Sequence, residues 1–260
     1  MTTTTMYGGE LDLSTTTRTQ MSRLVKVELR KMVDTRAGMW LMIAIGVITV
    51  VAIVIFGLAA NDQDKTFFNF LQFAGTPQGF LLPVMGILLV TQEWSQRTAM
   101  VTFTLEPHRG RVIAAKVYAA LLVAAAAFVI AVAVGALATL VFGPSGAFDD
   151  SGGIDLTKIG LVQLIGILQG LAFGLLFLNS ATAIVLYFVL PTVFGILGEV
   201  WGWLGERAAW IDLGTAQAPM FERTGNLTGE QWAQLAVTTV IWLVIPFVAG
   251  LWRMLRAEVK

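Results

Sequence analysis

The side chains able to do chemistry are few in this chain, and most of them gather in one stretch. Between residues 93 and 116 stand Glu93, Arg97, Glu106, His108, Arg109, Arg111 and Lys116. Glu93 precedes Arg97 by four residues, the favourable order and spacing for an ion pair along a helix. Arg109, Arg111 and Lys116 form a basic trio that suits anchoring to anionic lipid, at about 1 kcal/mol per charge near the surface. This is electrostatic and positional chemistry, and catalysis finds no footing beside it. His108 is the one histidine and cysteine is absent, so a His-rich metal site, a CxxC zinc site, a disulfide and a thiol nucleophile are all excluded. Ser22, Ser95 and Ser180 have no neighbouring base to activate them. The sequence carries no GxxxxGK[ST] loop, no GxSxG and no HExxH, and we expect no enzyme activity, no metal and no cofactor in this chain.

The elements that must position these residues are hydrocarbon-spanning. Only 13% of the residues are charged and 56% are hydrophobic, whereas soluble domains carry about 25% charge. Uncharged runs long enough to cross a bilayer need about 20 residues. They place spans at about 37–60, 78–93, 113–142, 159–178, 181–200 and 231–252. Residues 66–78 read as a loop or surface segment, because Asn69, Gln72, Gly75, Thr76 and Pro77 crowd it. The uncharged run from Ile159 to Gly198 would be about 60 Å long as one helix, twice the hydrocarbon thickness, so it must fold into two spans. Asn179-Ser180 is its polar break and predicts a hairpin there. Span centres hold no Asp, Glu, Lys, Arg or His, which disfavours a proton relay. Glu199, the acid adjoining a span, reads as an interfacial residue in water. Trp201, Trp203 and Trp210 suggest a headgroup-level belt with short interfacial or re-entrant helices.

Before the first span, residues 1–19 are Thr-rich and predict a disordered tail. From 20 to 36 the pattern changes. Met21, Val25, Leu29, Met32 and Val33 recur at helical spacing, with Arg23, Lys26, Arg30 and Lys31 on other faces, which predicts an amphipathic helix lying on a lipid surface. Six spans put both termini on one side. With the termini and the even-numbered connectors go thirteen of the 17 Lys and Arg; the other side keeps Lys65, Lys158, Arg207 and Arg223. Positive charge marks the cytoplasmic side, so both termini are expected there, in a multi-pass cell-membrane protein. The formal charge is zero, with no basic excess to suggest nucleic acid. Gly166, Gly170 and Gly174 recur every four residues, a small-residue face for close packing within the chain or against a second copy.

The run Val84-Met85-Gly86-Ile87-Leu88-Leu89-Val90-Thr91-Gln92-Glu93-Trp94, then Arg97-Thr98, Leu105-Glu106-Pro107-His108-Arg109-Gly110-Arg111 and Ala115-Lys116, resembles the ABC-2 type permeases. These are membrane subunits of ATP-driven exporters, and the short actinobacterial members are the most similar. The basic leader Val27-Glu28-Leu29-Arg30-Lys31 fits the same pattern, and motif-level matching covers about 21–36 and 84–117. Arg97 departs from it, since members often carry glycine there. The resemblance implies an all-α membrane domain of six transmembrane helices with a cytoplasmic coupling helix between spans two and three. That helix would dock on separate ATPase subunits, which bring ATP and Mg; a second permease copy or paralogue would complete the pathway. Glu93, Trp94, Arg97, Thr98, Met100, Phe103, Leu105, Glu106 and Pro107 would form the coupling segment. Lys26, Arg30, Lys31, Arg109, Arg111 and Lys116 would anchor it at the cytoplasmic surface. By the same analogy, Phe80, Met85, Phe188 and Phe194 would line a cavity between spans two and five for a hydrophobic or amphipathic compound. A membrane-anchored sensor or immunity subunit that binds a toxic compound without pumping it is the alternative.

Overall fold

The structure is a computed structural model of the chain and describes residues 19–96, 98–149, 154–222 and 226–256. The expected tail over 1–19 lies outside the described residues save for Thr19, as do Arg97 and Arg223. Among the described residues the regular structure is entirely helical, and six helices are long and apolar enough to cross a membrane. The protein is a multi-pass membrane protein of the all-α class.

Helix α1 (Met21–Asp34) is followed without a loop by α2 (Arg36–Ala59), because Thr35 is extended and its hydroxyl accepts from Gly38 N–H at 3.2 Å, capping the new helix. Helix α3 (Phe67–Ser95) begins where Thr66 Oγ1 accepts from Asn69 N–H. It then runs for 29 residues through Pro77 and Pro83. The loop expected over 66–78 is therefore helix. Phe67, Phe68, Phe70, Leu71 and Ala74 bury one face of it with Ile53, Ala131 and Ala138, and that packing outweighs the local preference of Asn69, Gly75 and Pro77 for turns. Helix α4 (Ala99–Leu105) is short, and α5 (Arg109–Phe142) is the longest.

The expected hairpin is present. Helix α6 (Leu156–Phe177) stops at Leu178, in left-handed backbone at φ 53°, and α7 (Ser180–Val200) starts where Asn179 Oδ1 accepts from Thr182 N–H at 3.0 Å. After α7 come the short helices α8 (Gly202–Gly205), α9 (Ala208–Ile211) and α10 (Leu213–Gln217). The last span is α11 (Gly229–Thr239), a π-helical turn over Val240–Val244, and α12 (Ile245–Arg256). That turn is tied down by Trp242, whose indole N–H donates to Ile211 O at 2.6 Å.

The core runs along α3 and α6, the two spans with more than half of their apolar window buried. Glycine makes the approach possible. A Cβ on Gly170 would lie 2.0 Å from Pro83 O, and one on Gly86 would lie 2.3 Å from Ile167 O. The Gly166, Gly170 and Gly174 face thus packs against α3 of the same chain. Helices α2 and α7 leave most of their apolar surface uncovered. Arg109 donates to Met254 O at 2.8 Å and Arg253 to Leu176 O at 2.5 Å, filling the open carbonyls at the ends of α12 and α6.

Candidate functional site

At the end of the bundle that holds the first and last described residues, four charged side chains meet. Glu28 comes from α1, one turn before Met32; these are the two buried residues of that helix. Lys31 follows on the same helix, Glu93 sits on the last turn of α3, and Lys116 lies two turns into α5. The Lys116 ammonium is fully buried and donates to Glu28 Oε2 at 2.6 Å and to Leu89 O at 2.9 Å, with Glu93 Oε1 at 3.2 Å. Lys31 Nζ donates to Glu28 Oε1 at 2.8 Å and to Glu93 Oε1 at 2.6 Å. Two acids and two bases make a neutral set, which is the condition for holding such charges out of water. Burial opposes the charge on Lys31, but the Glu28 and Glu93 carboxylates outweigh it and hold its pKa above the ordinary 10.5.

Helix α4 is fastened to this cluster. Thr102 Oγ1 donates to Glu93 Oε1 at 3.3 Å, and Thr98 N–H donates to Glu93 O at 2.9 Å. Phe103 is buried, its ring 6.5 Å from that of Trp94 and 4.9 Å beneath the Arg109 guanidinium. Glu106, also buried, has His108 Nδ1 at 3.3 Å and Arg111 at 3.9 Å. The other face of α4 is bare: Met100, Val101 and Leu105 are 56%, 59% and 77% exposed. Thr98 and Pro107, at its two ends, are exposed as well. A cavity of about 480 Å³ opens between α1 and α4, lined by Val27, Glu28, Lys31, Glu93, Val101 and Leu105 among others.

The fold gives the expected site residues partners of their own. Glu93 is held by Lys31 and Lys116, sequence separations of 62 and 23 residues, and its expected partner Arg97 lies outside the described residues. Lys31 and Lys116 are ion-pair partners within the protein. Arg109 and Arg111 turn inward too: Arg109 to Met254 O, and Arg111 to Thr19 O and Glu106. Lys26 and Arg30 stay exposed, Arg30 pairing with Asp34 at 2.9 Å. The coupling-segment residue Phe103 faces the core. The signal that was available is Glu28, a carboxylate set among Val25, Leu29 and Met32 in an otherwise apolar stripe.

The aromatic cavity set separates into two groups. Phe80 and Phe188 line one cavity of about 250 Å³ between α3 and α7. Met85 is buried in the core with Met32, and Phe194 packs its ring edge-on to Trp242 at 5.4 Å, so neither lines it. An adjoining cavity of about 420 Å³ runs between α3 and α6, with Gln72, Gln78, Gln163, Gln169 and Gln217 on its walls. Of these amides the sequence singles out Gln72 alone, and as a turn signal, because only ionisable groups mark a span as chemically unusual. No protein-family model matches the chain, and no curated protein matches it either.

Proposed function

We propose that this chain is the membrane permease subunit of an ATP-driven exporter of the ABC-2 type, working with separate ATPase subunits on a hydrophobic or amphipathic compound. The observation that carries the reading is the mounting of α4. This short helix lies between the second and third spans. One face is fastened through Glu93, Thr102 and Phe103 to α1, α3 and α5, and an apolar face is left bare at Met100, Val101 and Leu105. A partner seated on that bare face would push on a rigid junction of three helices and so move two spans together. In this reading α4 is the coupling helix and α1 the interfacial helix, its exposed Lys26 and Arg30 toward anionic lipid. Both termini are cytoplasmic, and a second permease copy or paralogue covers part of the exposed spans. The chain brings no ATP or Mg chemistry of its own.

The test is co-purification. The tagged full chain, extracted in mild detergent from its native cells, should bring down a Walker-type ATPase in stoichiometric amount, and the complex should hydrolyse ATP. Met100→Asp together with Leu105→Asp should reduce the recovered ATPase at least tenfold while the permease still inserts. If wild type retains no ATPase, the permease reading fails.

A further inference from the structure

Away from the charge cluster, roughly 15–30 Å along α3, the two adjoining cavities of about 420 and 250 Å³ share Phe80, Gln169, Tyr187 and Gln217 as common walls. We propose that together they form a binding site, within a single copy of this chain, for a compound without negative charge that carries both hydrogen-bond donors and acceptors on a flat apolar frame.

Three observations lead there. Gln169, on α6, is only 6% exposed and makes no side-chain hydrogen bond among the described residues, yet it borders both cavities. Gln163 is 7% exposed; its Nε2 donates to Gln78 Oε1 at 2.7 Å, while its Oε1 is buried without a partner. Buried amides are ordinarily satisfied, and leaving one open at membrane depth costs more than a hydrocarbon side chain in its place. An amide offers two donors and an acceptor, so unpaired amides select an occupant with both kinds of group. The second observation is charge. Asp212 is the one charged residue lining either cavity, and its Oδ2 is already engaged by Thr215 N–H at 2.7 Å and Thr215 Oγ1 at 2.8 Å. An anionic ligand would find no cation in the lining of either cavity and would meet the Asp212 carboxylate. The third is shape. The rings of Tyr187 and Phe188 meet edge to face at 5.1 Å, and with Phe80 they supply aromatic surface beside the amides. Taken together, the two volumes fall in the range of small-molecule sites.

The site is independent of ATPase docking, so it can be tested on the purified full chain alone, and its failure leaves the coupling proposal untouched. The probes are 7-(diethylamino)coumarin-3-carboxamide and the corresponding 3-carboxylate, of near-identical shape, the first neutral and the second anionic. Fluorescence titration of the detergent-solubilised protein should give saturable one-site binding of the carboxamide and at least tenfold weaker binding of the carboxylate. Gln169→Leu should weaken carboxamide binding at least tenfold. Gln169→Asn, which keeps the amide, should recover part of it, with elution volume and thermal unfolding of both variants unchanged from wild type. If Gln169→Leu unfolds, protection supplies the readout: Thr76→Cys, at the exposed rim, should be shielded from maleimide by the carboxamide and not by the carboxylate. Binding that does not saturate, equal binding of the two probes, wild-type binding by a folded Gln169→Leu, or displacement by phospholipid alone would each overturn the proposal.

Discussion

Glu93 shows how the cluster works at the level of single residues. Its carboxylate binds two lysines and a threonine from three other helices, so removing one cation leaves acids stranded in a dry site. Lys116→Met should therefore cost roughly 3–5 kcal/mol of stability, the usual penalty for orphaning one partner of a buried ion pair. Thermal unfolding in detergent measures it. The double variant Lys116→Met with Glu28→Gln should recover part of the loss, since one uncompensated charge is removed. Lys31 adds a pH dependence. Its folded pKa lies above the ordinary 10.5, so the ammonium favours the folded state. That contribution is fully present below 10.5 and is lost as pH rises through the folded value. Unfolding temperatures followed from pH 8 to pH 12 should fall more steeply for wild type than for Lys31→Met. Parallel curves would show that Lys31 contributes nothing through its charge.

The helices respond to different rules. Packing of α3 on α6 depends on backbone contact at Gly86, Gly170 and Gly174, so Gly170→Val must push the helices apart. Overpacking of this kind costs typically 1–3 kcal/mol. Gly195→Ala, where a Cβ would meet nothing within 4 Å, should leave unfolding unchanged. In α4 the two faces divide the expected phenotypes. Phe103→Asp should impair folding, because that ring sits between Trp94 and Arg109, whereas Leu105→Asp should leave unfolding unaltered and lower only partner binding. The spans and the Asn179-Ser180 hairpin were legible because bilayer thickness limits how long an uncharged helix can be, a one-dimensional constraint that a sequence displays directly. Residues 66–78 were misread for the converse reason. Asn69, Gly75 and Pro77 signal turns locally, and the packing of Phe67, Phe68, Phe70, Leu71 and Ala74 against Ile53, Ala131 and Ala138 that overrides them is tertiary. Beyond Glu28 in its apolar stripe the cluster left no local signal, because its members are brought together by tertiary packing from positions 28, 31, 93 and 116, while local spacing favoured Arg97 for Glu93.

At the scale of the whole molecule, the proposed coupling role depends on which end faces the nucleotide-containing side. Thr19, Arg109 and Met254 meet at one end through the Arg109 and Arg111 hydrogen bonds, so the charge cluster, α4 and the last described turn of α12 share a side whatever the orientation. Asp62 and Asp149, on connectors after the first and third spans, belong to the other end. By sequence, the termini and the even-numbered connectors carry thirteen of the 17 basic residues, and that bias predicts a cytoplasmic position for the first group. A chain without cysteine allows a clean test. In intact cells a cysteine placed at 62 or 149 should react with a membrane-impermeant maleimide, and one at 108, whose native side chain is 58% exposed, should react only after permeabilisation. The reversed pattern would put α4 outside, beyond reach of any ATP-driven partner, and would remove the coupling role. It would leave the amide-lined cavities intact as a binding site, now opening nearer the inner face.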